Sequence, residues 1–203
     1  FQLANSESES SWGEFFSSLK DRGLKNVRLV TSDDHKGLVH AVRKHFQDAS
    51  WQRCQTHFSR NMLDYTPKAL QTEIKEELRQ LYEAVDLEGA RKIRDHIIQT
   101  YEAKAPKATA LLDDAFDDIT AVLALPLMYR KRLRTTNGVE RLNEEIRRRE
   151  RVIRIFPNEA SVIRLMGALL MEQDEKWQTG RKYFDMQLYY QVQNKESKPS
   201  TAA

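Results

Sequence analysis

Two adjacent aspartates follow the first strand that the sequence predicts. Residues 27–30 form a short β-branched segment, and Asp33 and Asp34 come after it, just before a helical segment that begins at His35. Carboxylates between a strand and a helix lie where α/β folds place their chemistry. Mg²⁺ binds through one or two such carboxylates, whereas an aspartate before a helix can instead cap its free N–H groups. We expect Asp34 to take the capping role, which leaves Asp33 to face a ligand.

A second polar cluster lies on one predicted helix. Asn143, Glu144 and Arg147 follow Glu140 by three, four and seven positions, so all four share one helical face. A carboxylate, an amide and a guanidinium on one face can bind a metal ion and a phosphate side by side. The alternative is a capping arrangement, in which Glu140 returns to the main-chain amide of Asn137. Spacing alone leaves both interpretations open and favours the capping one.

Cys54 and His57 form a Cys-x-x-His pair after the second predicted strand. A structural zinc site needs about four ligands, and no second Cys-x-x-Cys or His-x-x-x-His pair is present to complete one. The other nearby histidines are five positions apart and point to different sides of a helix. The sequence also lacks a catalytic serine or cysteine motif and a glycine-rich phosphate loop. Because too few ligands are present, we expect no structural zinc.

The basic residues are concentrated in one stretch of the chain. The 203 residues carry a formal net charge of +3, yet residues 128–154 hold ten Arg or Lys and four Glu, a local balance of +6. Contact with the phosphate backbone of a nucleic acid requires such a basic segment. A solvated, arginine-rich helix face is an equally good interpretation of the charge alone.

The elements that must position these residues are mostly helices. Residues 10–23 predict a helix, and residues 27–54 predict a strand, a helix and a second strand, which is a β-α-β unit. Apolar residues at helical spacing then predict a helical region as far as residue 129. Two further helices are predicted, one over 137–149 and one after Pro157.

The composition limits the class of protein. Hydrophobic residues make up 40% and charged residues 31% of the chain, which is typical of globular proteins with a heavily charged surface. One cysteine excludes an internal disulfide and indicates a reducing, intracellular setting. We expect no membrane span, because the longest apolar run, residues 119–129, is too short and contains Pro126. We also expect no signal peptide.

Three segments together resemble one known family. They read VRLVTSDDHKGLVHAVRKHFQDASWQRCQTHFSRN at 27–61, TTNGVERLNEEIRRR at 135–149 and RIFPNEASVIRL at 154–165. In this order they resemble the mutator-type transposases of bacterial insertion sequences, over about residues 8–186. The resemblance implies a helix-rich α/β fold with a partial ribonuclease H-like core and a large all-helical insertion before the last catalytic helix.

The resemblance also implies roles for particular residues. Two Asp and one Glu hold two divalent metal ions, Mg²⁺ or Mn²⁺, in this family. By motif the second Asp corresponds to Asp33 and the Glu to Glu140, which makes these two the metal ligands. Cys54 and His57 match a Cys/Asp-x-x-His motif, with His57 expected to orient or stabilise the active site. Arg147 matches a basic residue expected to contact the phosphate near the scissile bond.

The implied activity is DNA transposition by metal-dependent strand cleavage and strand transfer. The partner is then double-stranded DNA, both element ends and target, and we expect a homo-oligomer on that DNA, with no membrane, in the bacterial cytoplasm at the nucleoid. The side chains expected to follow the DNA backbone are Arg130, Lys131, Arg132, Arg134, Arg148, Arg149 and Arg151.

Two departures from the family matter. The family commonly reads Ser-Asp-Gly where this chain reads Ser32-Asp33-Asp34, which leaves the metal assignment intact but crowds the loop. The family's first Asp lies upstream of every motif here, so we interpret the chain as a C-terminal fragment that is inactive alone. The alternatives are a non-catalytic remnant that binds DNA or inhibits the transposase, and a helical DNA-binding protein without catalytic ancestry.

These motifs predict four segments along the chain. Residues 1–66 form the partial core, 67–130 the helical insertion, and 131–190 the return to the core with the catalytic and C-terminal helices. Residues 191–203 are polar and predicted to be a disordered tail.

Overall fold

The order of elements is that of a helix-rich α/β protein. A computed structural model describes residues 2–180, 184–187 and 189–191. The elements are α1 (Glu9–Asp21), β1 (Leu29–Ser32), α2 (Lys36–His45), β2 (Ser50–Arg53), α3 (Gln55–Asp64), α4 (Gln71–Tyr82), α5 (Leu87–Tyr101), α6 (Pro106–Thr120), α7 (Leu127–Leu133), α8 (Asn137–Ile153) and α9 (Glu159–Thr179). Short 3₁₀ turns at Lys68–Leu70 and Ala121–Ala124 precede α4 and follow α6. This order confirms the predicted helix-rich α/β class.

The chain divides into two compact units. The first extends to Thr136 and contains both strands and α1 to α7, and the second begins at Asn137 and contains α8 and α9. The predicted division into four segments stays a prediction. Of the predicted tail, residues 192–203 lie outside the described residues. Among the described helices, none has the length and apolar character needed to cross a membrane.

The two strands pair in parallel, as the β-α-β pattern predicted. The register runs from Leu29 opposite Ser50 to Ser32 opposite Arg53, and α2 makes the crossover that a parallel pair requires. The first strand begins two residues later than expected. Asn26, three residues before the strand, adopts a left-handed conformation with φ of 56°, which is not that of a strand residue.

Two apolar clusters hold the first unit together. A small one joins α1, α2 and β2 through buried Phe16, Val39, Ala41, Val42 and Trp51. A larger one joins α3 to the following helices and includes Phe58, Met62, Ile74, Leu78, Leu81, Ile97, Leu112, Phe116 and Ile119. The apolar residues of α4, whose spacing predicted a helix here, therefore pack into this cluster, whereas Val85 does not. Val85 is 81% exposed, because α4 ends at Tyr82.

A buried glutamine joins the sheet to the end of α6. Gln52 is fully buried in β2. Its Nε2 donates to the carbonyl of Ile119 at 2.9 Å, and its Oε1 accepts from the N–H of Val122 at 2.7 Å. Gln55 Nε2 donates to the same carbonyl at 2.8 Å. These bonds satisfy main-chain groups that the end of a helix leaves unpaired, so they fix α6 against β2.

Replacing this amide tests its contribution to stability. We expect Gln52→Met to lower the free energy of unfolding by about 2 kcal/mol, because the buried N–H of Val122 then has no partner. Urea denaturation of the chain followed by circular dichroism measures this change. Gln80→Met, at an exposed position of α4, is the control and should stay within about 0.5 kcal/mol. Equal values for the two variants would contradict the structural role of Gln52.

Candidate functional site

The carboxyl ends of β1 and β2 lie side by side. The strands are parallel and Ser32 is opposite Arg53, so the residues that follow each strand emerge at the same edge of the sheet. Asp33 follows β1 and Cys54 follows β2. Ligands of open α/β sheets bind outside this edge, so we treat it as the candidate site in the first unit.

Asp33 presents an available carboxylate at this edge. The residue is exposed, although it directly follows buried Ser32. Its main-chain carbonyl accepts a hydrogen bond from Ser32 Oγ at 2.7 Å. Within the described part of the chain, the Asp33 carboxylate takes part in no ion pair. Its two oxygens can therefore bind a cation from solvent, and hard carboxylate oxygens are the ligands that Mg²⁺ prefers.

Asp34 forms an ion pair and does not cap α2, so the prediction of a capping role is wrong. The N-cap of α2 is His35, without a side-chain capping bond. The Oδ2 atom of Asp34 instead accepts from Arg53 Nη1 at 3.0 Å. Arg53 is buried, and a buried guanidinium requires a counter-charge. Asp34 supplies that charge, which decides its orientation.

Arg53 is a site residue that the sequence analysis missed. Its guanidinium carbon lies 5.2 Å from the centroid of the Phe58 ring, a cation–π contact inside the larger cluster. A signal for it was present, because an arginine next to Trp51 and Gln52 in a predicted buried strand must find a partner. The sequence could not identify that partner.

Cys54 and His57 lie at the start of α3, close to each other. Cys54 is fully buried, and its Sγ accepts from the main-chain N–H of Thr136 at 3.4 Å and from Thr136 Oγ1 at 3.3 Å. A ring nitrogen of half-buried His57 lies within 4.8 Å of that sulfur. The cysteine therefore anchors the chain just before α8, a role that its motif did not reveal.

Further hydrogen bonds fasten the same segment to the sheet edge. Thr31 Oγ1 donates to the carbonyl of Leu133 at 2.6 Å, and the N–H of Gln55 donates to the carbonyl of Arg134 at 3.0 Å. With the Thr136 contact, residues 133–136 are held by the ends of both strands. No local pattern predicted these contacts, since Thr31 and Leu133 are 102 positions apart.

Four aspartates of α6 differ in their exposure to solvent. Asp113, Asp114 and Asp117 are exposed, whereas Asp118 is half-buried and lines a cleft of about 220 Å³ between α2, β2 and α6. Burial raises the pKa of the Asp118 carboxyl, and the charge of Arg43 opposes that shift. Asp118 therefore differs from its solvated neighbours.

Two of the predicted DNA-binding arginines make structural contacts in the first unit. Arg130 donates to the carbonyls of Leu125 and Val85, both at 2.7 Å, and Arg134 donates to the carbonyl of Tyr82 at 3.2 Å. These bonds hold α7 against the end of α4. Lys131 and Arg132 on the same helix are exposed.

In the second unit, α8 places Glu140 in its first turn and exposed Arg147 two turns later. The helix begins at Asn137, one residue earlier than the capping arrangement of Asn137 and Glu140 requires. Val139, in the same turn as Glu140, is 59% exposed. Because α8 is helical throughout, Glu140, Asn143, Glu144 and Arg147 lie along one of its faces.

Other basic side chains of α8 are paired along the helix. Arg148 Nη2 and Arg149 Nε contact Glu145 Oε1 at 2.7 and 3.3 Å. These bonds lower the pKa of Glu145, the Arg148 hydrogen bond most strongly. Arg151 is exposed on the last turn.

A family pattern and several known proteins that match this chain are all described as transposases. Residues 1–180 match the sequence pattern of the family described as "Transposase, Mutator family". The chain is 44% identical over 188 residues to the transposase for insertion sequence element IS256 in transposon Tn4001 of Staphylococcus aureus, covering 91% of this chain and 48% of that protein. It is 42% identical over 185 residues to the ISRM5 transposase of Rhizobium meliloti, covering 91% and 46%. It is 38% identical over 187 residues to the IS1081 transposase of Mycobacterium tuberculosis, covering 92% and 45%. The chain thus spans about half the length of these relatives.

The single thiol provides a test of the Cys54 anchor. We expect native Cys54 to react with a disulfide reagent at least about a hundredfold more slowly than in the urea-unfolded chain, since a buried thiol reacts only after local opening. Thr136→Val removes the hydroxyl donor to the sulfur and should speed the native reaction. Absorbance of the released reagent measures both rates. Thr135→Val is the control, and an equal acceleration there would contradict the anchor.

Proposed function

Since the chain belongs to the Mutator family of transposases, as its motifs predicted, we propose that it supplies part of the catalytic region of an enzyme that cleaves DNA at element ends and joins those ends to target DNA. The observation that carries this proposal is the exposed, available carboxylate of Asp33 at the carboxyl edge of the parallel strand pair. The β-α-β unit, followed by a helical region and then α8, supports a ribonuclease H-like core.

In this proposal, Asp33 and Glu140 are ligands of Mg²⁺ or Mn²⁺, with two ions in the full enzyme. Both supply hard oxygen donors, and a divalent ion needs only one or two protein carboxylates beside the oxygens of the phosphate. When bound, such ions stabilise the negative charge that develops at the scissile phosphate. By resemblance to the family, a third carboxylate ligand is an Asp upstream of these motifs, and we propose that nicking requires it.

The remaining site residues position the substrate and the ligands. Arg147 follows Glu140 by two helical turns, about 10 Å along the axis, and donates to a phosphate oxygen beside the scissile bond. Cys54 anchors Thr136, which precedes Glu140 by four residues along the chain. His57, beside the Cys54 sulfur, supports the same edge of the sheet through its imidazole.

Double-stranded DNA is the proposed partner, with a homo-oligomer assembled on it at the nucleoid. The exposed basic side chains Lys131, Arg132 and Arg151 follow the phosphate backbone, assisted by Arg148 and Arg149. Arg130 and Arg134 retain further N–H donors beyond those given to carbonyls, which we propose also contact phosphate oxygens. A non-catalytic, DNA-binding protein is the second candidate, because the exposed side chains of Lys131 and Arg151 can contact phosphates without a metal ion.

The carboxylates are tested in the full-length transposase of which we propose this chain to be a part. We expect Asp33→Asn and Glu140→Gln each to reduce Mg²⁺-dependent nicking of element-end DNA at least about a hundredfold, because each removes a ligand charge worth several kcal/mol in the transition state. DNA affinity should change little. Glu144→Gln, one turn beyond Glu140 on α8, is the matched control. Retention of nicking by both carboxylate variants would exclude the proposed site.

The basic residues are tested by the salt dependence of DNA binding. Lys131→Ala and Arg151→Ala should each weaken binding similarly for all DNA sequences and reduce the slope of log K against log salt by about one, since each phosphate contact releases counterions. Fluorescence anisotropy at several salt concentrations gives the slope. Lys92→Ala on α5, whose ammonium pairs with Glu88, should leave it unchanged. An unchanged slope for the first two variants would exclude these contacts.

A further inference from the structure

We propose that four residues at the strand ends form a clamp that positions Asp33 for metal binding. The strand-end clamp consists of Ser32 and Asp34, on either side of Asp33, and of Trp51 and Arg53 in β2. This inference rests on the proposed role of Asp33 as a metal ligand, and it assigns Arg53 and Trp51 as positioning residues for that reaction.

The downstream half of the clamp is the ion pair between Asp34 and Arg53. The Arg53 side chain is only 8% exposed, and its Nη1 lies 3.0 Å from Asp34 Oδ2. Its guanidinium also packs on the Phe58 ring at 5.2 Å, so the cation cannot move without disrupting the larger apolar cluster. A buried charge without its partner is strongly unfavourable. The fixed cation therefore determines where Asp34 lies.

The upstream half is a chain of two hydrogen bonds. Trp51 Nε1 donates to Ser32 Oγ at 2.9 Å in a buried position, and Ser32 Oγ donates to the main-chain carbonyl of Asp33 at 2.7 Å. A hydroxyl has one proton, so the bond from the indole directs that proton toward the carbonyl. Trp51 thus fixes, through Ser32, the peptide group that joins Asp33 to Asp34.

Both halves of the clamp use residues of β2, because side chains alternate between the two faces of a strand. Residues two apart in a strand point to the same face of the sheet, so Trp51 and Arg53 act on one side, while Gln52 between them contacts α6 on the other. Asp33 therefore lies between Ser32, which Trp51 holds, and Asp34, which Arg53 holds. Fixing one residue's backbone before a ligand binds is worth about a factor of ten in affinity.

The clamp predicts a specific effect of removing the Asp34 charge. In the full-length transposase, Asp34→Asn should weaken Mn²⁺ binding about tenfold, measured from the free Mn²⁺ signal in electron paramagnetic resonance. Hydrogen exchange, followed by mass spectrometry, should accelerate at residues 33–35. Asp34→Glu keeps the charge and should restore most of the affinity. An unchanged Mn²⁺ affinity in Asp34→Asn would overturn the clamp.

A matched control distinguishes the positioning of Asp33 from the general effect of losing an ion pair. Arg94 stacks on the Phe116 ring of the same cluster at 4.6 Å and pairs with Asp95 at 2.7 Å and with Asp113 at 3.7 Å, so Asp113→Asn removes one of its two ion pairs away from the site. We expect it to leave Mn²⁺ affinity unchanged. An equal loss in Asp113→Asn would overturn the positioning role.

Two more variants distinguish the clamp from the proposed function itself. Trp51→Phe keeps the ring but removes the indole N–H, so it tests the upstream half without unpairing a charge, and it should also weaken Mn²⁺ binding. An unchanged affinity would overturn that half. If Asp33→Asn binds Mn²⁺ as tightly as the parent, the metal role of Asp33 is wrong. The exchange rates at residues 33–35 then still decide whether the clamp orders the backbone.

Discussion

The parallel pairing of β1 with β2 is the constraint on which the first unit depends. Because Ser32 lies opposite Arg53, the residues after both strands emerge at one edge, and the chain before α8 can be fastened there through Leu133, Arg134 and Thr136. A shift of one residue in this register would turn the strand side chains to opposite faces. Asp34 would then lose its ion pair with Arg53, and Gln52 would lose its hydrogen bonds to the end of α6.

Buried polar groups, more than apolar contacts, specify how the elements of this unit are arranged. Gln52 pairs with main-chain groups at the end of α6, Arg53 pairs with Asp34, and the Cys54 sulfur accepts from Thr136. Apolar side chains can repack at modest cost, but an unpaired buried donor costs a full desolvation penalty. Gln52, Arg53 and Cys54 are consecutive, and each therefore fixes a different part of the chain: the end of α6, Asp34 and Thr136.

Basic charge has two uses in this protein, and the sequence does not separate them. The stretch 128–154 carries a balance of +6, which fits both contact with phosphate groups and a solvated helix face. The structure directs Arg130 and Arg134 to main-chain carbonyls and pairs Arg148 and Arg149 with Glu145. Lys131 and Arg151 stay exposed. An arginine satisfies both roles with the same donors, so only its surroundings distinguish them.

The sequence by itself determined the helices, the β-α-β unit and the family, because local apolar periodicity and ordered motifs encode them. It also placed Asp33 at a strand end and Glu140 in the first turn of a helix. Only the tertiary structure decided that Asp34 pairs with Arg53 instead of capping α2, and that Cys54 anchors a threonine 82 positions away. Such contacts join residues distant in the chain. They leave no periodic pattern in the sequence. A buried polar group requires a partner, but its sequence position does not indicate which residue that partner is.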